Sequence, residues 1–120
     1  PDGGASWMLP RLVGKARATE MMMLGEKIGA EKAEQWGLIY KAVADEALLE
    51  EARALALRLA TGPTLALARM RENIHRALET GYAAALHQEA VGQRCAGDSA
   101  DALEGGMAFL QKRKPEFKGA

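Results

Sequence analysis

Asp2 is the residue whose neighbours best suit it to proton chemistry. It follows Pro1, precedes Gly3-Gly4 and stands shortly before Trp7 and Met8. Glycines let a backbone approach a ligand closely and aim a carboxylate at it. An indole and a thioether form a low-dielectric wall, against which an acid holds its proton more tightly and becomes useful for acid/base work. The same residues also read as turn chemistry. Pro presets φ, Asp bonds its own backbone, and glycine takes the positive-φ position. Ser6 then caps a short helix over Trp7–Val13, with Pro10 inside it or marking its edge.

The second candidate is Phe109 with Lys112, at the head of the basic run Lys112-Arg113-Lys114. Three positions apart on a continuing helix, the ring and the ammonium group share a face. Such a pair suits an adenine plane with a phosphate nearby. The alternative is a solvated basic cluster that complements a helix C-terminus. The remaining chemistry-bearing residues are isolated. His75 and His87 fall on different predicted helices without Cys or acid at ligand spacing, so no metal site is expected. Cys95 has no evident base partner and reads as inert core. Gly3-Gly4 lacks the preceding strand and following spacing of a phosphate loop. Met21-Met22-Met23 is either core or a soft wall for an acyl group.

Gross composition narrows the classes. The chain has 120 residues, enough for one domain with a modest core. Sixteen basic residues balance sixteen acidic ones, which excludes the basic excess of a dedicated nucleic-acid surface. No apolar run approaches the roughly 20 residues of a membrane span. A single cysteine makes no internal disulfide, which suits a reducing, cytoplasmic setting.

The elements that must position these residues are mostly helical. Lys15–Leu24 reads as a helix stopped by Gly25, and Ala30–Trp36 as a short helix closed by Gly37. Leu38–Val43 is the one credible strand, with Leu38, Ile39, Tyr40 and Val43 strand-favouring. Asp45 caps a predicted helix Glu46–Ala60, whose stripe is Leu48, Leu49, Ala52, Leu55, Ala56 and Leu59. Thr61-Gly62-Pro63 breaks it and starts Thr64–Glu79, with Leu67, Met70, Ile74, Ala77 and Leu78 on one face. Tyr82–Cys95 follows, with Tyr82, Ala85, Leu86 and Ala90 inward. Ser99 then caps a helix over Ala100–Gln111 or slightly longer, with Asp101 and Glu104 in its first turns. The fold class is mainly α, with a helix share high for a free-standing α/β domain and suited to the helical end of a larger one.

Three segments in order, PDGGASWMLPRLVGKARATEMMMLG, IGAEKAEQWGLIYKAV and EGGMAFLQKRKPEF, resemble the C-terminal half of the crotonase superfamily, the enoyl-CoA hydratases and isomerases. The Pro-Asp, Gly, Ser, Trp and Leu-Pro-Arg arrangement is most similar to the ring-1,2-epoxyphenylacetyl-CoA isomerase branch. The resemblance implies an α/β crotonase fold, a ClpP-like spiral. Residues 1–44 would be the end of its core and active-site wall, and 45–120 a C-terminal helical oligomerisation region. It implies acyl-CoA chemistry through a stabilised thioester enolate, with no separate cofactor because CoA is part of the substrate. Asp2 would be catalytic, Trp7 and Met8 would line the substrate, and Phe109 and Lys112 would meet the adenosine end of CoA. The implied partners are an acyl-CoA thioester and copies of the same chain in a trimer or hexamer, with no nucleic acid and no membrane.

A carboxylate at position 2 favours isomerisation over hydration, because hydratases mostly carry Gly there. The oxyanion-binding N–H donors of the family lie upstream of this pattern, so the chain is expected to be an incomplete enzyme and part of a longer protein. Two rivals stand beside this reading. One is an enoyl-CoA hydratase with Asp2 a bystander, and the other is a non-catalytic helical module for assembly.

Overall fold

The computed structural model describes residues 1–120 and contains helices and turns but no strand. It divides into two compact units, Pro1–Leu48 and Leu49–Ala120.

In the first unit, α1 (Ala5–Val13) and α2 (Lys15–Leu24) form an elbow with Gly14 as its only connecting residue. Gly14 lies at φ 81, ψ 160, a conformation essentially reserved for glycine. Val13 and Ala18, 7% and 1% exposed, fill the inside of the bend. Helix α1 starts earlier than the sequence predicts. Its N-cap is Gly4, at φ 88, and Ser6 sits within the first turn instead of capping it. Pro10 is inside the helix. Helix α3 (Ala30–Gln35) closes at Trp36. That indole carries the Arg17 guanidinium at 5.2 Å and the Lys32 ammonium at 4.4 Å, while Lys32 also pairs with Glu20 of α2 at 3.5 Å. Met21 and Met22 are half-buried, whereas Met23 is exposed.

The expected strand over Leu38–Val43 does not form. Its donors are already taken by α3: the N–H groups of Leu38 and Ile39 both reach the Ala33 carbonyl, at 2.9 and 3.4 Å. The Ala42 N–H donates to the Glu34 carboxylate at 3.0 Å. A segment whose donors fold back on the preceding helix makes no ladder. Asp45 does not cap by its side chain either. It opens a 3-10 turn, Asp45–Ala47, that runs into α4.

The second unit holds α4 (Leu48–Ala60) after its first residue, then α5 (Thr64–Ala77), α6 (Tyr82–Gly97) and α7 (Ala100–Leu110). Helix α5 packs on α6, and α6 on α7. The contact faces differ from those the hydrophobic periodicity predicts. Tyr82 and Leu86 of α6 are exposed, and so are Met70 and Ile74 of α5 and Leu78 at its C-cap. The inward stripe of α6 keeps the expected Ala85 but continues through Gln88, Gly92, Cys95 and Ala96. Gly92 is buried because α5 comes so close. A methyl there would lie 3.2 Å from the Asn73 amide and 3.5 Å from Arg69 Cβ. Small residues set the approach of these two helices, and the large apolar residues are left on the outer faces. Helix α4 has no buried residue, and its leucines 48, 49, 55, 57 and 59 are all exposed. No helix is long and apolar enough to cross a membrane.

Candidate functional site

The candidate residues sit in two places, one in each unit. In the first, the Asp2 carbonyl accepts the Ala5 N–H at 2.9 Å, closing a turn over Gly3 and Gly4 at φ 55 and 88. The Gly4 carbonyl then receives the N–H groups of both Trp7 and Met8 at 3.0 Å and launches α1. Turn chemistry therefore holds for the backbone of Asp2. Its side chain takes no part in that turn. The carboxylate is exposed, with no hydrogen bond or ion pair to spend it, and remains available for another task.

Met8 folds over the turn, its Cε 3.7 Å from where a Gly4 Cβ would stand. Trp7 is fixed by a residue that the sequence reading passed over. The Arg11 guanidinium lies 4.0 Å from the centre of the indole and donates to the Trp7 carbonyl at 2.9 Å. The signal was present as a Trp–Arg pair one helical turn apart. Asp2, Trp7 and Met8 are thus on one turn and the helix it starts. Trp7 and Met8 are 39% and 45% exposed, so the expected apolar wall is open to solvent in this chain.

In the second unit, α7 is capped as predicted: the Ser99 hydroxyl accepts the Ala102 N–H at 3.1 Å. The helix ends at Leu110, before Lys112, which corrects the expectation that Phe109 and Lys112 share a helix face. Lys112 is instead the one non-glycine residue of the chain at positive φ, 54°. Its N–H reaches the Phe109 carbonyl at 3.2 Å, and the Arg113 N–H reaches Ala108 at 3.0 Å. That pair of bonds is a Schellman ending with lysine where glycine is usual. A side chain in this conformation costs about 1–2 kcal/mol. Phe109 is 83% exposed, and the Lys112 ammonium makes no ion pair.

Around this turn the acids of α7 do more than complement a dipole. Glu104 receives Arg113 as a two-pronged fork, at 2.5 and 2.8 Å, and also accepts the Glu116 N–H at 2.8 Å. The Arg113 contact above all, with the Glu116 N–H, holds the Glu104 carboxyl down at about 2, and the same fork raises Arg113. Asp101 is buried, with one oxygen on the Lys118 N–H at 2.7 Å and the other on the Gly119 N–H at 2.8 Å. Gly105 leaves room for the Phe117 ring, 3.5 Å from its missing Cβ. Among the isolated residues, His75 and His87 are exposed. Cys95 is half-buried beside the Arg69 guanidinium; this contact and Glu72 raise the Arg69 pKa.

Chemically, the first place offers a free carboxylate beside a cation-held indole, and the second an exposed ring and an unpaired ammonium on a braced turn. Over 119 residues the chain is 44% identical to the 1,2-epoxyphenylacetyl-CoA isomerase of Escherichia coli K12, covering 99% of this chain and 45% of that protein. It is 47% identical over 119 residues to a Rhodobacter capsulatus protein named "Probable enoyl-CoA hydratase", covering 99% of this chain and 46% of that one. The crystal structure of an enoyl-CoA hydratase from Bacillus anthracis superposes with a TM-score of 0.93 at 32% identity, covering all of this chain and 46% of the other. The chain thus spans about half the length of the relatives it matches. The enoyl-CoA hydratase/isomerase profile matches residues 1–120, and the chain belongs to that family as a helical portion of the crotonase fold.

Proposed function

We propose that this chain serves an acyl-CoA isomerase of the enoyl-CoA type, with ring-epoxide phenylacetyl-CoA chemistry as one form of it. The observation that carries this reading is the 44% identity to the E. coli isomerase along 99% of the chain. An Asp at position 2 whose carboxylate is free of internal partners supports it. Asp2 moves a proton to or from the acyl group while two backbone N–H donors of the complete protein hold the thioester oxygen as the enolate forms. Trp7 and Met8 line the acyl group. Phe109 stacks on the adenine of CoA, and Lys112 meets one of its phosphates. The complete protein works as a trimer or hexamer in the cytoplasm.

Asp2→Asn in the complete protein tests the assignment. Asn keeps the turn and removes the base, so folding and CoA affinity should persist while kcat on an isomerisable acyl-CoA falls by about 10²–10⁴. A kcat within a few-fold of the parent would make Asp2 a turn residue only.

Hydration of an enoyl-CoA is the second reading, favoured by the 47% identity to the R. capsulatus protein. In that case Asp2→Asn leaves hydration of a 2-enoyl-CoA intact.

A further inference from the structure

Lys112 occupies a backbone conformation that costs a side chain energy, and the chain holds it there from both sides. On the N-terminal side, the Gln111 N–H bonds the Met107 carbonyl at 2.9 Å, and its side-chain oxygen accepts Arg113 Nε at 2.7 Å. On the C-terminal side, Arg113 returns its N–H to Ala108, donates to the Lys114 carbonyl at 3.1 Å, and forks onto Glu104 further back on α7. Glu104 then takes the N–H of Glu116, so the strand of chain leaving the turn is held as well. Lys112 stands in the middle of this brace without an ion pair of its own. A left-handed lysine persists only where its surroundings over-determine it. Here the over-determination comes through Arg113, from a carboxylate nine residues before it.

We infer that Glu104 and Arg113 are positioning residues for the nucleotide end of the thioester: their clasp imposes the left-handed turn that presents the Lys112 ammonium to a CoA phosphate. This rests on the assignment of Phe109 and Lys112 to CoA given above. Glu104 and Arg113 do not touch the ligand, since their charges are spent on each other. Their effect passes through Lys112, so it cannot exceed the effect of losing Lys112 itself.

The test compares two thioesters of one acyl group in the complete protein. One is the CoA ester. The other is the pantetheine ester, which lacks the adenosine and its phosphates. Lys112→Ala should raise KM for the CoA ester about tenfold and leave the pantetheine ester unchanged. Glu104→Gln and Arg113→Lys should each raise the CoA KM by about threefold to tenfold, with kcat and the pantetheine KM unmoved. The double variant Glu104→Gln/Lys112→Ala should match Lys112→Ala alone.

An unchanged CoA KM in Glu104→Gln and Arg113→Lys, beside a raised one in Lys112→Ala, overturns the clasp and spares the CoA assignment. So does an additive double variant, or a loss felt equally with both esters. An unchanged CoA KM in both Lys112→Ala and Phe109→Ala removes the CoA assignment and the clasp with it. If Glu104→Gln does not fold, Arg113→Lys retains the charge and decides alone.

Discussion

Asp101 and Gly119 are joined at 2.8 Å, the buried carboxylate accepting the glycine N–H from a chain end that has turned back to its own helix. The other oxygen holds Lys118 at 2.7 Å, and the Asp101 N–H returns a bond to the Ala120 carbonyl at 2.9 Å. The last residues of the chain are therefore part of the second unit's structure.

Gly119→Ala should loosen this docking. Gly119 lies at φ 75, and an added methyl would stand 2.5 Å from Thr64 Oγ1. Strain and collision together should cost about 1–3 kcal/mol, read as a lowered urea midpoint. Adding Thr64→Ala should recover the part due to collision. An unchanged midpoint in Gly119→Ala would mean that the end of the chain contributes nothing to stability.

Glu104 predicts a particular acid dependence. Its folded-state carboxyl is lowered from 4.5 to about 2, with Arg113, the Glu116 N–H and Lys118 favouring the anion. A depressed acid binds fewer protons folded than unfolded, so its stabilisation is complete above about pH 4.5 and is lost as pH falls toward 2. Carbon-13 NMR of the side-chain carboxyl should give a midpoint close to 2, and Glu104→Gln should flatten that portion of the stability profile. A midpoint near 4.5 would show that the fork does not hold in solution.

Arg11→Ala should free the Trp7 indole. The cation lies 4.0 Å above the ring at a site open to solvent, which makes the contact worth about 0.5–1 kcal/mol. With Trp36 replaced by Phe so that one indole remains, emission should shift and collisional quenching should rise. If the indole belongs to the acyl wall as proposed, kcat/KM should fall while CoA affinity is retained. Identical quenching in the presence and absence of Arg11 would dismiss the contact.

The exposed leucines of α4 predict association. Leu49 and Leu57, at 68% and 64% exposed, are large apolar side chains on a helix that packs against no other helix of its unit. Such surfaces mark contacts with other polypeptide. Light scattering at tens of micromolar should show more than one copy per particle, and Leu49→Glu with Leu57→Glu should lower the mass. A monodisperse parent monomer would count against assembly by this face.

Local chemistry determined much of this protein. The bounds of α2 follow from Gly14 and Gly25 on either side of good helix formers, and the start of α7 from Ser99 as its cap. These features depend on a few adjacent residues, so they are legible in one dimension. The family, too, was legible, from three segments in order. The tertiary structure decided what depends on distant partners. Leu38–Val43 has the composition of a strand but spends its donors on Ala33 and Glu34. Apolar periodicity placed Leu86 and Ile74 inward, whereas the close crossing of α5 and α6 is made by Gly92 and Asn73, because separation between helices is set by their smallest facing residues. Lys112 looked like one more residue of a helix. Its left-handed turn is held by the Glu104 carboxylate, nine positions before Arg113, a contact that exists only once Arg113 has folded onto α7.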